Sequence, residues 1–258
     1  MSTQISELPR SRFDQDGFLV VRGLAVPEVC TTMREAVLDA LSPLQGPAEF
    51  EADVGYPGSP PSRAAEGGNT PRRLLYAYAR HPVFRQWARS AAVKSVLETL
   101  MAEPDRDPTV MVSQCHHNCV MTKHPGFSSE TSWHQDIRYW SFDRPELVSV
   151  WLALGHEHAR NGVLSIIPGS HRLSLDRGRL DHVLFLRTDL EENQALMRKA
   201  VTLELNAGDV LFFHSRVFHE AGQNLTDEVK LSCVFTYHLQ DNNPIPGTRS
   251  ALYPSVPL

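Results

Sequence analysis

The chain has 258 residues, with 41% hydrophobic and 21% charged side chains, an ordinary globular composition with enough length to bury one sizeable core. Its formal net charge of -5 excludes the basic footprint of a nucleic-acid binder, and no apolar run approaches membrane-spanning length. The opening Met1-Ser2-Thr3-Gln4-Ile5-Ser6-Glu7 lacks a charged region followed by an apolar stretch, so no secretory signal is expected and the cytoplasm is the default location. Cys30, Cys115, Cys119 and Cys233 are too scattered for a disulfide scaffold, which favours reduced thiols. The run Cys115-His116-His117-Asn118-Cys119 would place both cysteines on one strand face. No second Cys/His pair with zinc spacing follows, so they read as small buried apolar residues.

In chain order, Arg12 to Val21 reads as a short helix or turn leading into a strand, punctuated by Gly17. Pro27 opens a helix in which Val29, Met33, Val37, Ala40 and Leu41 recur at helical spacing, to about Leu44. Residues 45–71 are dense in Gly and Pro, and a loop this long inside a domain is a candidate lid. Helical stretches are expected at 72–90 and 92–102, before Pro104 and Pro108. Strands follow at 110–122, 132–140, 147–154, 163–167, 182–187, 200–205, 209–214 and 229–238. The expected fold class is mainly β, a sandwich or barrel with N-terminal helices on one face, built as a single domain over 1–258. About 1–105 forms the helical part and about 106–240 the β core. On the last strand Lys230, Ser232, Val234, Thr236 and His238 share one face, and Leu231, Cys233, Phe235 and Tyr237 the other. A solvated face and a wet active-site cavity would look alike there.

Trp133-His134-Gln135-Asp136 is the most informative segment. On an extended backbone His134 and Asp136 point the same way and Gln135 the other, whereas on a helix residues two apart diverge by about 200°. With His219 in the distant His219-Glu220-Ala221-Gly222-Gln223-Asn224, this gives two imidazoles and a carboxylate, the donor set that holds non-haem iron on one face.

The chain resembles the phytanoyl-CoA dioxygenase family of Fe(II)- and 2-oxoglutarate-dependent oxygenases. The resemblance runs from Phe13-Asp14-Gln15-Asp16-Gly17-Phe18 to about His238 and is carried by an ordered set of blocks. These are His117 to Lys123, His134-Gln135-Asp136, Trp151-Leu152-Ala153-Leu154, Asn161-Gly162, Ile167 to His171, Ala207-Gly208-Asp209-Val210 and His219 to Asn224. It implies a double-stranded β-helix, or jelly roll, cupin-like in fold, with His134, Asp136 and His219 as catalytic iron ligands. It also implies Fe(II) as cofactor, 2-oxoglutarate and oxygen as co-substrates, and a small-molecule substrate. The other histidines, among them His116, His117, His171 and His214, are then structural hydrogen-bonding residues. The family's co-substrate-anchoring arginine maps to Lys230, with Ser232 on the same face, so a point charge replaces a bidentate fork. Further co-substrate positions map to Cys119, Gln135 and Trp151, and more loosely to Arg73 and Ala221, where Ala221 replaces a serine. Arg138, Tyr139 and Trp140 fall on the substrate side. Related halogenases replace the iron carboxylate with a small residue, so Asp136 implies hydroxylation or another oxidative outcome. A non-catalytic jelly-roll binding protein and a cupin-type metal enzyme without 2-oxoglutarate are the alternatives. The primary substrate (acyl-CoA, amino acid or secondary metabolite) and the oligomeric state are not legible.

Overall fold

The computed structural model describes residues 8–103 and 109–258; Met1 to Glu7 and the expected breakers Pro104 and Pro108 lie outside them. Helix α1 (Leu8–Asp16) ends at Gly17, whose φ of 80° turns the chain into β1 (Phe18–Val21). Pro27 starts α2 (Pro27–Leu41), which buries Cys30, Met33, Val37 and Ala40 along one stripe. The Gly/Pro-rich stretch contains β2 (Ala48–Phe50) and a 3-10 turn, Glu51–Asp53, and leads to β3 (Pro71–Leu75). The helix expected from residue 72 therefore starts later, as α3 (Ala77–Arg80) and α4 (Pro82–Ala88), followed by α5 (Ala91–Met101). The reason is tertiary: Arg73, Leu74 and Leu75 pair with the strand bearing Met121, Val120 and Cys119, a ladder that local helical spacing does not reveal.

The remaining strands are β4 (Val110–Val112), β5 (Cys119–Lys123), β6 (Thr131–His134), β7 (Leu147–Ala153) and β8 (Leu164–Ile166). After α6 (Glu191–Met197) come β9 (Val201–Thr202), β10 (Val210–His214), β11 (His219–Ala221), β12 (Lys230–Leu239) and β13 (Val256–Pro257). Three expectations change. The strand anticipated at 110–122 is two strands, interrupted where His117 takes a left-handed φ of 38°. The one anticipated at 182–187 is a turn, in which the Asp181 carboxylate accepts from the amides of Val183 and Phe185 at 2.9 and 2.8 Å. The one at 132–140 stops at His134, and Asp136–Tyr139 is a 3-10 turn.

The larger sheet runs β1-β10-β7-β12-β5-β3-β2, with β4 beside the far end of β12 and β13 beside β4; the smaller runs β6-β11-β8-β9. Every pairing in both is antiparallel. One face of the larger sheet carries the helices: Met33, Phe84, Trp87 and Leu97 pack with Leu152, Phe212, Phe235 and Tyr237 in one apolar core. Its other face meets the smaller sheet through Trp151, Leu211, Phe213 and Val234 against Leu164 and Ile166. This is the expected mainly β jelly roll with helices on one face. The N-terminal part also supplies β1, β2 and β3 to the larger sheet, so it is more than a helical layer. All of β12 is buried, which removes a solvated face as an account of its polar residues. Gly162, at φ 74°, lets the β7–β8 connection pass against the Gly222 carbonyl, where a Cβ would collide.

Candidate metal centre and its cavity

His134 ends β6 and His219 begins β11, and the two are direct partners across the smaller sheet, so strand pairing alone brings residues 85 positions apart side by side. Gln135 keeps extended angles (φ -117°, ψ 136°), so the alternation argument survives across it and Asp136 faces the way His134 does. The ring centroids of the histidines are 4.2 Å apart. Asp136 Oδ1 lies 3.9 Å from His134 Nε2 and 3.7 Å from His219 Nε2. Among the described residues these three form the one group of His, Cys, Asp or Glu side chains able to hold a metal ion.

The donors are set for a cation. His134 Nδ1 bonds the Ser132 carbonyl at 2.8 Å and His219 Nδ1 the Val217 carbonyl at 3.1 Å, which places the ring protons there and turns both Nε2 lone pairs inward. Burial, with His219 beside it, holds His134 well below the usual histidine range, so it is neutral. Burial pushes Asp136 up, but His117, His219, His134 and the Ser149 hydroxyl outweigh it and hold the carboxyl below its ordinary value. Two imidazoles whose Nε2 atoms face inward and one carboxylate, each buried, fit the facial donor set of a non-haem iron site.

Two residues around Asp136 were not singled out as functional from sequence. Ser149 Oγ donates to Asp136 Oδ2 at 3.1 Å. His117 has its Nδ1 3.2 Å from Ser149 Oγ and its Nε2 3.5 Å from Asp136 Oδ1, while burial lowers its basicity. His117 is thus a hydrogen-bonding residue, as expected, but placed at the centre itself. Ser149 lies two residues before Trp151 on β7, so alternation could have flagged it once Trp151 was placed.

A cavity of about 230 Å³ opens over the three residues. Its walls include Trp151, Arg73, Arg72, Lys123, Lys230, His116, Tyr139, Trp140 and Arg249. Arg73 pairs with Glu49 at 2.7 Å, and Arg72 donates to Ser129 Oγ and Thr131 Oγ1 at 3.0 and 2.8 Å with Glu51 3.8 Å away. Lys123, opposite Lys230 in the β5–β12 ladder, donates to the carbonyls of Ser129 and Gly222; burial first, then the charge of Lys230, pushes it down to about 7. Lys230 and Ser232, expected at a co-substrate carboxylate, both donate to buried Glu157, at 3.2 and 2.6 Å. Glu157 had no sequence signal, because only the approach of the β7–β8 connection to β12 brings it there.

The other expected co-substrate residues divide. Trp151, Arg73 and Ala221 line the cavity. Gln135 lies outside its walls, and its amide donates to the Arg216 carbonyl, as its opposite facing implied. Cys119 faces a smaller adjoining cavity of about 90 Å³, shared with Arg73, His117 and Arg249, and burial pushes its thiol up to about 11. From 45–71, Glu49, Val54 and Tyr56 reach the main cavity, and the Tyr56 hydroxyl lies 3.1 Å from that of Tyr139.

The profile of the phytanoyl-CoA dioxygenase family matches residues 13–232. The chain belongs to the phytanoyl-CoA dioxygenase family. Phytanoyl-CoA dioxygenase 1 of Oryza sativa subsp. japonica is 30% identical over 145 residues, which are 56% of this chain and 49% of that protein. The peroxisomal phytanoyl-CoA dioxygenase of Homo sapiens is 33% identical over 132 residues, 46% of this chain and 38% of its own. The chain thus spans about half or less of the length of these two family members. Among solved structures, EctD from S. alaskensis with 2-oxoglutarate and 5-hydroxyectoine has a TM-score of 0.72 at 20% identity, covering 97% of this chain and 86% of that one. The epimerase SnoN in complex with Fe3+, alpha ketoglutarate and nogalamycin RO has a TM-score of 0.71 at 22% identity, covering 98% and 94%. Both share the family's fold with this chain. No helix among the described residues is long and apolar enough to cross a membrane.

Proposed function

We propose that the protein is a non-haem Fe(II)- and 2-oxoglutarate-dependent dioxygenase that hydroxylates an unactivated C–H bond of a small organic or acyl molecule. The observation that carries the reading is the His134, Asp136 and His219 cluster, whose Nε2 and Oδ1 atoms converge below a cavity while their remaining polar atoms are held by backbone carbonyls and Ser149. These three side chains would hold the iron, leaving the cavity side for co-substrate and oxygen. Bound iron with 2-oxoglutarate and oxygen supplies oxidative decarboxylation coupled to C–H oxidation.

The chain's own residues bind and orient. Lys230, Trp151 and Arg73 face the co-substrate, while Gln135, Cys119 and Ser232 act from behind the cavity wall. His116, Tyr139, Trp140 and Arg249 form the substrate side, where His116, pushed down to about 3 by burial, is a neutral packing surface. The 45–71 segment acts as a lid through Tyr56 and limits water entry. Asp136 occupies the position that chloride would need, which supports oxygen transfer over halogenation. The free thiols of all four cysteines support a cytoplasmic setting.

Anaerobic addition of Fe(II) and then 2-oxoglutarate tests the reading. A visible metal-to-ligand charge-transfer band is expected, and its absence with metal demonstrably bound would overturn 2-oxoglutarate as co-substrate. Product mass against a mixed substrate panel then separates hydroxylation, a gain of one oxygen atom, from epimerisation or ring closure, which add none.

A further inference from the structure

Glu157 is fully buried, and its carboxylate accepts from Lys230, Ser232 and Trp151. Oε1 accepts from Ser232 Oγ at 2.6 Å and from Trp151 Nε1 at 3.1 Å; Oε2 accepts from Lys230 Nζ at 3.2 Å. Its backbone is fixed by a reciprocal pair with Leu205, amide to carbonyl, at 2.7 and 3.0 Å. Lys230 and Trp151 line the cavity and Glu157 does not, so it stands behind the wall and acts through them.

The neighbouring cations are compensated as well. Arg73 and Arg72 face Glu49 and Glu51, and Lys123 spends two donors on backbone carbonyls. An arriving carboxylate must lose its hydration and recover that loss from donors. Here an internal carboxylate already holds them.

Resting on the co-substrate reading above, we propose that Glu157 is a positioning residue that relaxes co-substrate selectivity: by occupying Lys230, Ser232 and Trp151, it lets the site take 2-oxo acids that lack a distal carboxylate. An uncharged end loses no hydration at a pair that is already neutral. A distal carboxylate gains only the donors of Lys230 that Glu157 leaves unused.

The test is calorimetric titration of the Mn(II)-loaded protein with 2-oxoglutarate and with 2-oxopentanoate, which has the same chain length and no second carboxylate. In the wild type the two Kd values are expected within about tenfold of each other, a small gap for a site that would otherwise gain a charge-assisted hydrogen bond. Glu157→Gln is expected to tighten 2-oxoglutarate about tenfold and leave 2-oxopentanoate within about twofold. Adding Lys230→Met to that variant should cancel the gain. A wild-type preference for 2-oxoglutarate above about a hundredfold overturns the proposal, and so does a folded Glu157→Gln protein with unchanged or weaker 2-oxoglutarate binding. If Glu157→Gln does not fold, the wild-type ratio decides. Binding of neither oxo acid to the metal-loaded wild type overturns the parent reading instead.

Discussion

Ser149 governs how Asp136 meets a cation, because its hydroxyl takes Oδ2 and leaves Oδ1 directed at the two Nε2 atoms. Removing such a partner typically weakens metal affinity about 10–100-fold, so Ser149→Ala is expected to do so in a metal-competition titration while the protein remains folded. Lys123 makes a second prediction at this scale. Burial and the facing Lys230 push it down to about 7, whereas in the unfolded chain lysine sits near about 10.4. Between these values the unfolded chain holds a proton that the folded chain lacks, so stability rises with pH across that window; below it the full cost of the buried charge is present. Urea denaturation at pH 7 and 9.5 should show wild type gaining stability relative to Lys123→Met at the higher pH. Equal differences at both would sink the assignment.

At the level of single elements, β12 shows how one strand serves two environments. Leu231, Cys233, Phe235 and Tyr237 fill the helix-covered core, while on the other face Lys230 lines the cavity, Ser232 bonds Glu157 behind its wall and Val234 meets the second sheet. Thr236 belongs to the second face but is fully buried, and its hydroxyl has no hydrogen-bond partner among the described residues. Valine has the same shape and no group to leave unsatisfied, so Thr236→Val is expected to stabilise by about 1 kcal/mol in chemical denaturation. The two-face alternation of β12 was legible in sequence because side-chain direction is local. That both faces are buried was not, since burial depends on what the other strands bring. The same limit explains β3: the stretch from Arg72 to Leu75 satisfies a helical pattern, yet β5 offers Arg73, Leu74 and Leu75 a ladder.

Over the whole molecule, a cation bound at the His134 and His219 pair would link binding to folding through β6 and β11. Their partners His134 and His219 come together only in the closed sheet, so a cation held there is held by the native state alone. A divalent ion at a hundred times its Kd should raise stability by about 2.7 kcal/mol, read as a thermal shift with Mn(II) that His219→Ala abolishes. By itself the sequence determined the jelly-roll class, the helix-covered face and the three side chains able to hold a metal. These rest on local periodicity, on the His134 and Asp136 spacing along an extended backbone, and on an ordered set of motifs. Only the tertiary structure decided the surroundings: His117 and Ser149 on Asp136, Lys123 opposite Lys230, and Glu157 across Lys230, Ser232 and Trp151. The physical reason is that a side chain's type and direction are written in its own segment, whereas its partners come from distant strands and connections. The charge presented by that end of the cavity is a property of those partners.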